Sequence, residues 1–103
     1  MSEETSNHSA LERYAEASGT KVLTTQADLD PKDRPMVEMV DWCMQRENIV
    51  VLKSGKILTS DPTSRDVQNC KTTLINRGLR PGKVTPALPS LILLLLSNIA
   101  DEE

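Results

Sequence analysis

Few residues in this chain are of types that do chemistry, and their spacing limits what that chemistry can be. The single histidine, His8, falls in a polar N-terminal stretch, so neither a Ser-His-Asp nor a Cys-His arrangement has a credible base. A zinc site asks for more than the three His and Cys residues present. Cys43 and Cys70 fall on the apolar stripes of two expected helices, where a thiol serves as a small buried hydrophobe rather than as a reactive thiolate. Asp28 with Asp30, and Asp61 with Asp66, are spaced for acid–base work, yet each also reads as a turn former, a cap or a solvated group. Lys53-Ser54-Gly55-Lys56 lacks the strand–loop–helix context of a phosphate-binding loop and reads as a hairpin turn. The expectation is a protein that is not an enzyme and uses no cofactor or metal.

Charge is the next source of function. Residues 48 to 83 hold seven basic groups (Lys53, Lys56, Arg65, Lys71, Arg77, Arg80 and Lys83) against Asp61 and Asp66, a net of +5 in a chain of net −3, so the remainder carries −8. A basic middle between acidic ends suits an acidic partner, although solvated surface is the commoner explanation of such a pattern. Nucleic acid is the rival partner: Lys71, Arg77, Arg80 and Lys83 cluster at a helix end and the following turn, with Lys53 and Lys56 as a hairpin wing. Against it stand the net negative charge, the absence of an aromatic platform for single strands, and an element order unlike a winged helix-turn-helix.

The elements that position these groups follow from apolar spacing and punctuation. At 103 residues the chain suits one domain, with a core of Leu, Ile, Val and Met, since Phe is absent and Trp42 and Tyr14 are the only aromatics. Residues 1 to 8 read as a disordered tail and 9 to 103 as the domain. Ser9 with Glu12 has capping-box spacing, predicting a helix over 10–18 that stops at Gly19. Lys21–Thr25 is β-branched and reads as a strand, followed by a loop through Pro35. Met36, Val37, Val40, Cys43 and Met44 make a helical stripe beginning at Pro35. Ile49–Leu52 and Ile57–Thr59 flank a Ser-Gly turn and read as a β-hairpin. Asp61-Pro62 and Gly78 bracket a helix over 62–77 carrying Val67, Cys70, Leu74 and Ile75. Arg80–Val84 is a turn, and Thr85-Pro86 starts a last helix through Leu91–Leu96 to about Ala100, apolar on nearly every side.

That order predicts an α+β fold: a small antiparallel sheet, one strand plus a β-hairpin, with about four helices packed on one face. No signal-peptide pattern opens the chain, and the Leu91–Leu96 run is far shorter than the roughly 20 residues of a spanning helix, so a cytoplasmic protein with reduced thiols and no direct membrane insertion is expected.

From Ile49 onward the hydrophobic strand, Ser-Gly turn, Ile57-Leu-Thr-Ser60, helix ending Asn76-Arg-Gly78 and Leu-rich helix resemble the N-terminal non-catalytic adaptor domain of secretion and pilus-assembly ATPases. The similarity covers about half of the chain. It implies a domain that docks a motor onto a cytoplasmic segment of a membrane-associated assembly component, and the family's phosphate-binding loop has no counterpart here. The function expected is therefore a protein–protein interaction module, with a small nucleic-acid-binding regulator as the alternative. The expected contact surface is Arg77, Arg80 and Lys83, with Lys53 and Lys56 as neighbours, and self-association through the Leu-rich helix is compatible with the same pattern.

Overall fold

A computed structural model describes the backbone of residues 3–101 and the side chains of 10–98. Among the described residues four α-helices and three short strands follow in the order α1 (Glu3–Ser18), α2 (Val40–Gln45), β1 (Ile49–Val51), β2 (Ile57–Thr59), α3 (Arg65–Asn76), β3 (Val84–Pro86) and α4 (Pro89–Asp101). The α+β class is as expected from the sequence.

The hairpin forms where β-branched residues flank the Ser-Gly turn. Ile49 pairs with Thr59, Val50 with Leu58 and Val51 with Ile57, antiparallel. The third strand differs from the expectation. It is Val84–Pro86 rather than Lys21–Thr25, and it lies parallel to β2 (Ile57 with Val84, Leu58 with Thr85, Thr59 with Pro86), so the sheet is mixed with β2 in the centre. A parallel neighbour requires a crossover, and α3 supplies it as a β2–α3–β3 unit. Pro86, which has no N–H to donate, sits on an outer strand.

The expected strand at 21–25 contracts to one parallel bridge, Leu23 to Ala87, because the backbone N–H groups of Thr24 and Thr25 donate to the Asp28 carboxylate (2.9 and 3.2 Å) instead of to a neighbouring strand. The loop before α2 covers the other edge. Met36 N–H donates to the Val51 carbonyl (2.8 Å) and Lys53 N–H to the Arg34 carbonyl (2.8 Å), with Pro35 opposite Leu52. Both edges of the sheet are thus occupied by loop backbone, which blocks pairing with a second chain.

Ile49, Val50, Val51, Leu52, Ile57 and Leu58 are all fully buried. Successive strand side chains point to opposite faces, so the sheet is covered on both faces and not on one. α4 packs on β1 and β2, α2 on β1, and α1 on β3. Burying each such aliphatic side chain contributes about 1.5–3 kcal/mol, which makes this sandwich the main stabilising element.

The helices depart from expectation at their ends. α1 runs back to Glu3, through most of the stretch read as a tail, and Ser9 is therefore an interior residue rather than the N-cap; Met1 and Ser2 lie outside the described residues. Pro35 stays on the sheet edge instead of opening α2, and a single 3-10 turn, Val37–Met39, precedes the α-helix at Val40. That shift of register buries Met39 and leaves Val37 and Met44 exposed. α3 begins three residues later than expected. Its N-cap is Ser64, whose hydroxyl accepts from Asp66 N–H (3.1 Å), and Ile75 points outward. In α4 the uniform leucine run resolves into a buried set, Leu91, Ile92, Leu95 and Leu96, and an exposed pair, Leu93 and Leu94.

Candidate binding surface

The hairpin turn is the point where three of the five expected basic residues converge. Gly55, with φ near +90°, lets the chain reverse between Leu52 and Lys56, whose N–H and carbonyl bond at 2.9 Å. Loop 79–83 lies directly against this turn. Gly82 N–H donates to the Gly55 carbonyl (2.8 Å), and Ile57 N–H to the Lys83 carbonyl (3.0 Å). A Cβ on Gly55 would stand 2.6 Å from the Arg80 carbonyl oxygen, and one on Gly82 would stand 2.8 Å from the Gly55 carbonyl carbon. Two glycines in back-to-back contact therefore bring Lys56, Arg80 and Lys83 to one end of the fold. Arg80 and Lys83 are exposed and Lys56 is half-buried. Among the described residues no carboxylate pairs with the side chains of Lys53, Lys56, Arg80 or Lys83.

The other two expected residues are placed differently. Arg77 follows α3, and its guanidinium donates to the Glu38 carbonyl, fastening the end of α3 to the turn before α2. Lys53 stands on the opposite side of the hairpin, beside the loop that precedes α2. There Asp33 holds the turn by accepting from Ser54 N–H (3.0 Å) and from the Ser54 hydroxyl (2.7 Å). Next to Lys53 the surface opens into a groove of about 480 Å³, with Leu29, Pro35, Val37, Val40 and Leu95 among its walls. Sequence reasoning missed this groove, since its walls come from three distant segments. A cation–π contact, with Arg46 4.7 Å from the centroid of the Trp42 ring, was also not anticipated.

Three of the four carboxylates considered for acid–base work, Asp28, Asp30 and Asp61, accept local hydrogen bonds, while Asp66 enters through its backbone N–H to Ser64. Asp28 accepts from Thr24 N–H, Thr25 N–H and the Thr24 hydroxyl, and these bonds, led by the one from Thr24 backbone, hold its carboxyl below the usual range. Asp30 accepts from Lys32 N–H (2.9 Å), and Asp61 accepts weakly from the Thr63 hydroxyl (3.5 Å). Among the described residues no group of three His, Cys, Asp or Glu side chains comes together as a metal site, and no helix is long and apolar enough to cross a membrane.

Cys43 and Cys70 are both buried and unbridged. Burial pushes the Cys43 thiol up to about 11, against a hydrogen bond from Val51 N–H to its sulfur (3.4 Å), and burial together with the neighbouring Cys43 pushes Cys70 up to about 12. Both thiols are therefore expected to stay unreactive toward a soluble disulfide reagent at pH 8, with labelling that tracks global unfolding; rapid labelling of folded protein would contradict this. The sign of the pH dependence follows. A neutral thiol kept neutral by the fold contributes stability that is fully present below the unfolded value of 9.0 and is lost as pH rises through about 11 to 12.

No family model, no curated protein and no solved structure matches this chain.

Proposed function

We propose that this protein is a protein-binding adaptor module whose contact surface is the hairpin end formed by Lys56, Arg80 and Lys83, with Lys53 beside it, and whose partner presents an acidic segment. One observation carries the reading: Lys56, Arg80 and Lys83 are brought to one end of the fold by a shared backbone platform, and among the described residues no carboxylate pairs with their side chains or with that of Lys53. Exposed charges held together without counter-charges are poised to gain from an approaching anion, chiefly in association rate and in partner discrimination. Arg77, expected to share this surface, serves to position α3 through Glu38. The resemblance of the Ile49–Leu96 pattern to secretion-ATPase adaptor domains adds a role, the docking of a motor onto a membrane-associated assembly component.

The reading is tested by capture from lysate of the source organism with tagged domain, at low and moderate salt, with and without nuclease. The expected result is a protein that survives nuclease and weakens with salt, because exposed charge pairs are screened over about 10 Å at 0.1 M. Recovery of nucleic acid, with all captured protein lost after nuclease, would overturn the reading in favour of phosphate binding.

A further inference from the structure

We infer that the groove beside the hairpin receives an aliphatic side chain of the partner's acidic segment, so that the segment is recognised by an apolar anchor in the groove and by carboxylates over Lys53 and Lys56. This rests on the function proposed above and specifies what the partner presents. The groove is lined by the aliphatic groups of Leu29, Val37, Val40 and Leu95, and its volume of about 480 Å³ falls within the roughly 300–1,000 Å³ of small-ligand sites. Val37 remains 75% exposed there, so the protein's own side chains leave this wall open.

Charge determines the occupant. The rim carries Asp30, Asp33 and Arg34 on the loop side and Lys53 on the hairpin side. Both Asp33 oxygens accept from Ser54, and Asp30 accepts from Lys32 N–H. On the loop side these two carboxylates outnumber Arg34, which is itself engaged in an interaction, and so disfavour acidic residues there. The Lys53 side chain has no partner among the described residues and belongs to the same turn as Lys56, which leads on to Arg80 and Lys83. An apolar side chain seated between Val37 and Leu95 therefore has one favourable exit for attached carboxylates, over the hairpin. The Gln26 and Asn98 carboxamides, also lining the groove and without partners among the described residues, match the donor and acceptor of a peptide backbone. An uncharged apolar segment would leave Lys53 unused, and a basic one would meet it with repulsion.

The test is an amide NMR titration of the full chain with a synthetic peptide of about a dozen residues, a pair of leucines followed by a run of glutamates, and with the same peptide carrying serines for leucines. The leucine peptide is expected to shift the resonances of Val37, Val40 and Leu95 together with Lys53 and Lys56, and to bind about tenfold more tightly than the serine peptide, the effect of one well-seated anchor. Val37→Glu, at an exposed position that leaves the fold intact, is expected to remove that advantage, so that the two peptides bind equally and, with a further carboxylate near Lys53, somewhat more weakly than the serine peptide binds wild type. Equal affinity of the two peptides, or a Val37→Glu chain that binds the leucine peptide normally, would overturn the inference. If both peptides then still lost affinity on reversal of Lys56, Arg80 and Lys83, the proposed function would stand without the groove. If neither peptide bound, both would fall. Self-association of the free chain that Val37→Glu abolishes would overturn the inference by assigning the groove to a second copy.

Discussion

Ile92→Asp is expected to abolish the folded state, while Leu94→Asp, two residues away in the same apolar run, leaves it standing. Ile92 is fully buried against the sheet, whereas Leu94 is 45% exposed. Enclosing an unpaired carboxylate costs several kcal/mol, comparable with the roughly 5–15 kcal/mol that holds a domain together. A half-exposed leucine loses only its partial burial on the same change, about 1 kcal/mol. The apolar run on its own predicts that Leu94→Asp unfolds a monomer, and the half-exposed position of Leu94 reverses that expectation, so the pair separates the folded arrangement from the composition that gave rise to it. Urea melts followed by the single tryptophan, Trp42, provide the readout, since Trp42 is partly buried against the core. Equal sensitivity of the two positions would mean that α4 presents a different face to the sheet.

Gly55→Ala is expected to be nearly as damaging, and to damage binding along with stability. Its cost has two sources. An L side chain at φ near +90° is strained by about 1–2 kcal/mol, and the added Cβ would meet the Arg80 carbonyl at 2.6 Å, where the obstacle is backbone. Relief requires separating the hairpin turn from loop 79–83, which breaks the Gly82 to Gly55 hydrogen bond and disperses Lys56, Arg80 and Lys83. The total loss is expected at about 2–4 kcal/mol. Gly78→Ala is the control, since Gly78 also has a positive φ, near +77°, but open space around it, so only the conformational cost applies. If the two substitutions cost the same, the back-to-back glycine contact contributes nothing.

What the sequence disclosed and what it concealed divide along the range of the interactions involved. The hairpin was legible because strand propensity, turn chemistry and register are all encoded within eleven residues, Ile49 to Thr59. The body of α3 was legible for the same reason, through Val67, Cys70 and Leu74 at helical spacing and a stop at Gly78. β3 was not. Three residues ending in proline carry almost no local signal, and Val84–Pro86 is a strand only because β2 lies beside it after a helical crossover. The reverse error occurred at Lys21–Thr25, where β-branched composition was outweighed by Asp28 drawing two N–H groups into a turn. Across Leu91–Leu96 every position was apolar, so periodicity held no information about which leucines face the sheet. At the candidate site, charge counting named the residues but not their placement: Lys56, Arg80 and Lys83 are united by glycine contacts, Arg77 is drawn away to Glu38, and Lys53 belongs to a groove whose walls lie far apart in sequence.

The most direct measurement of the central claim is the affinity of the captured partner for wild-type protein and for the Lys56→Glu, Arg80→Glu, Lys83→Glu triple variant, by calorimetry at two salt concentrations. All three side chains lie outside the buried core, so the variant is expected to match wild type in its Trp42-monitored melt. The account predicts an affinity at least about tenfold lower for the variant, with most of the salt dependence removed. An unchanged affinity in a variant of unchanged stability would contradict it and place the contact surface elsewhere on the molecule.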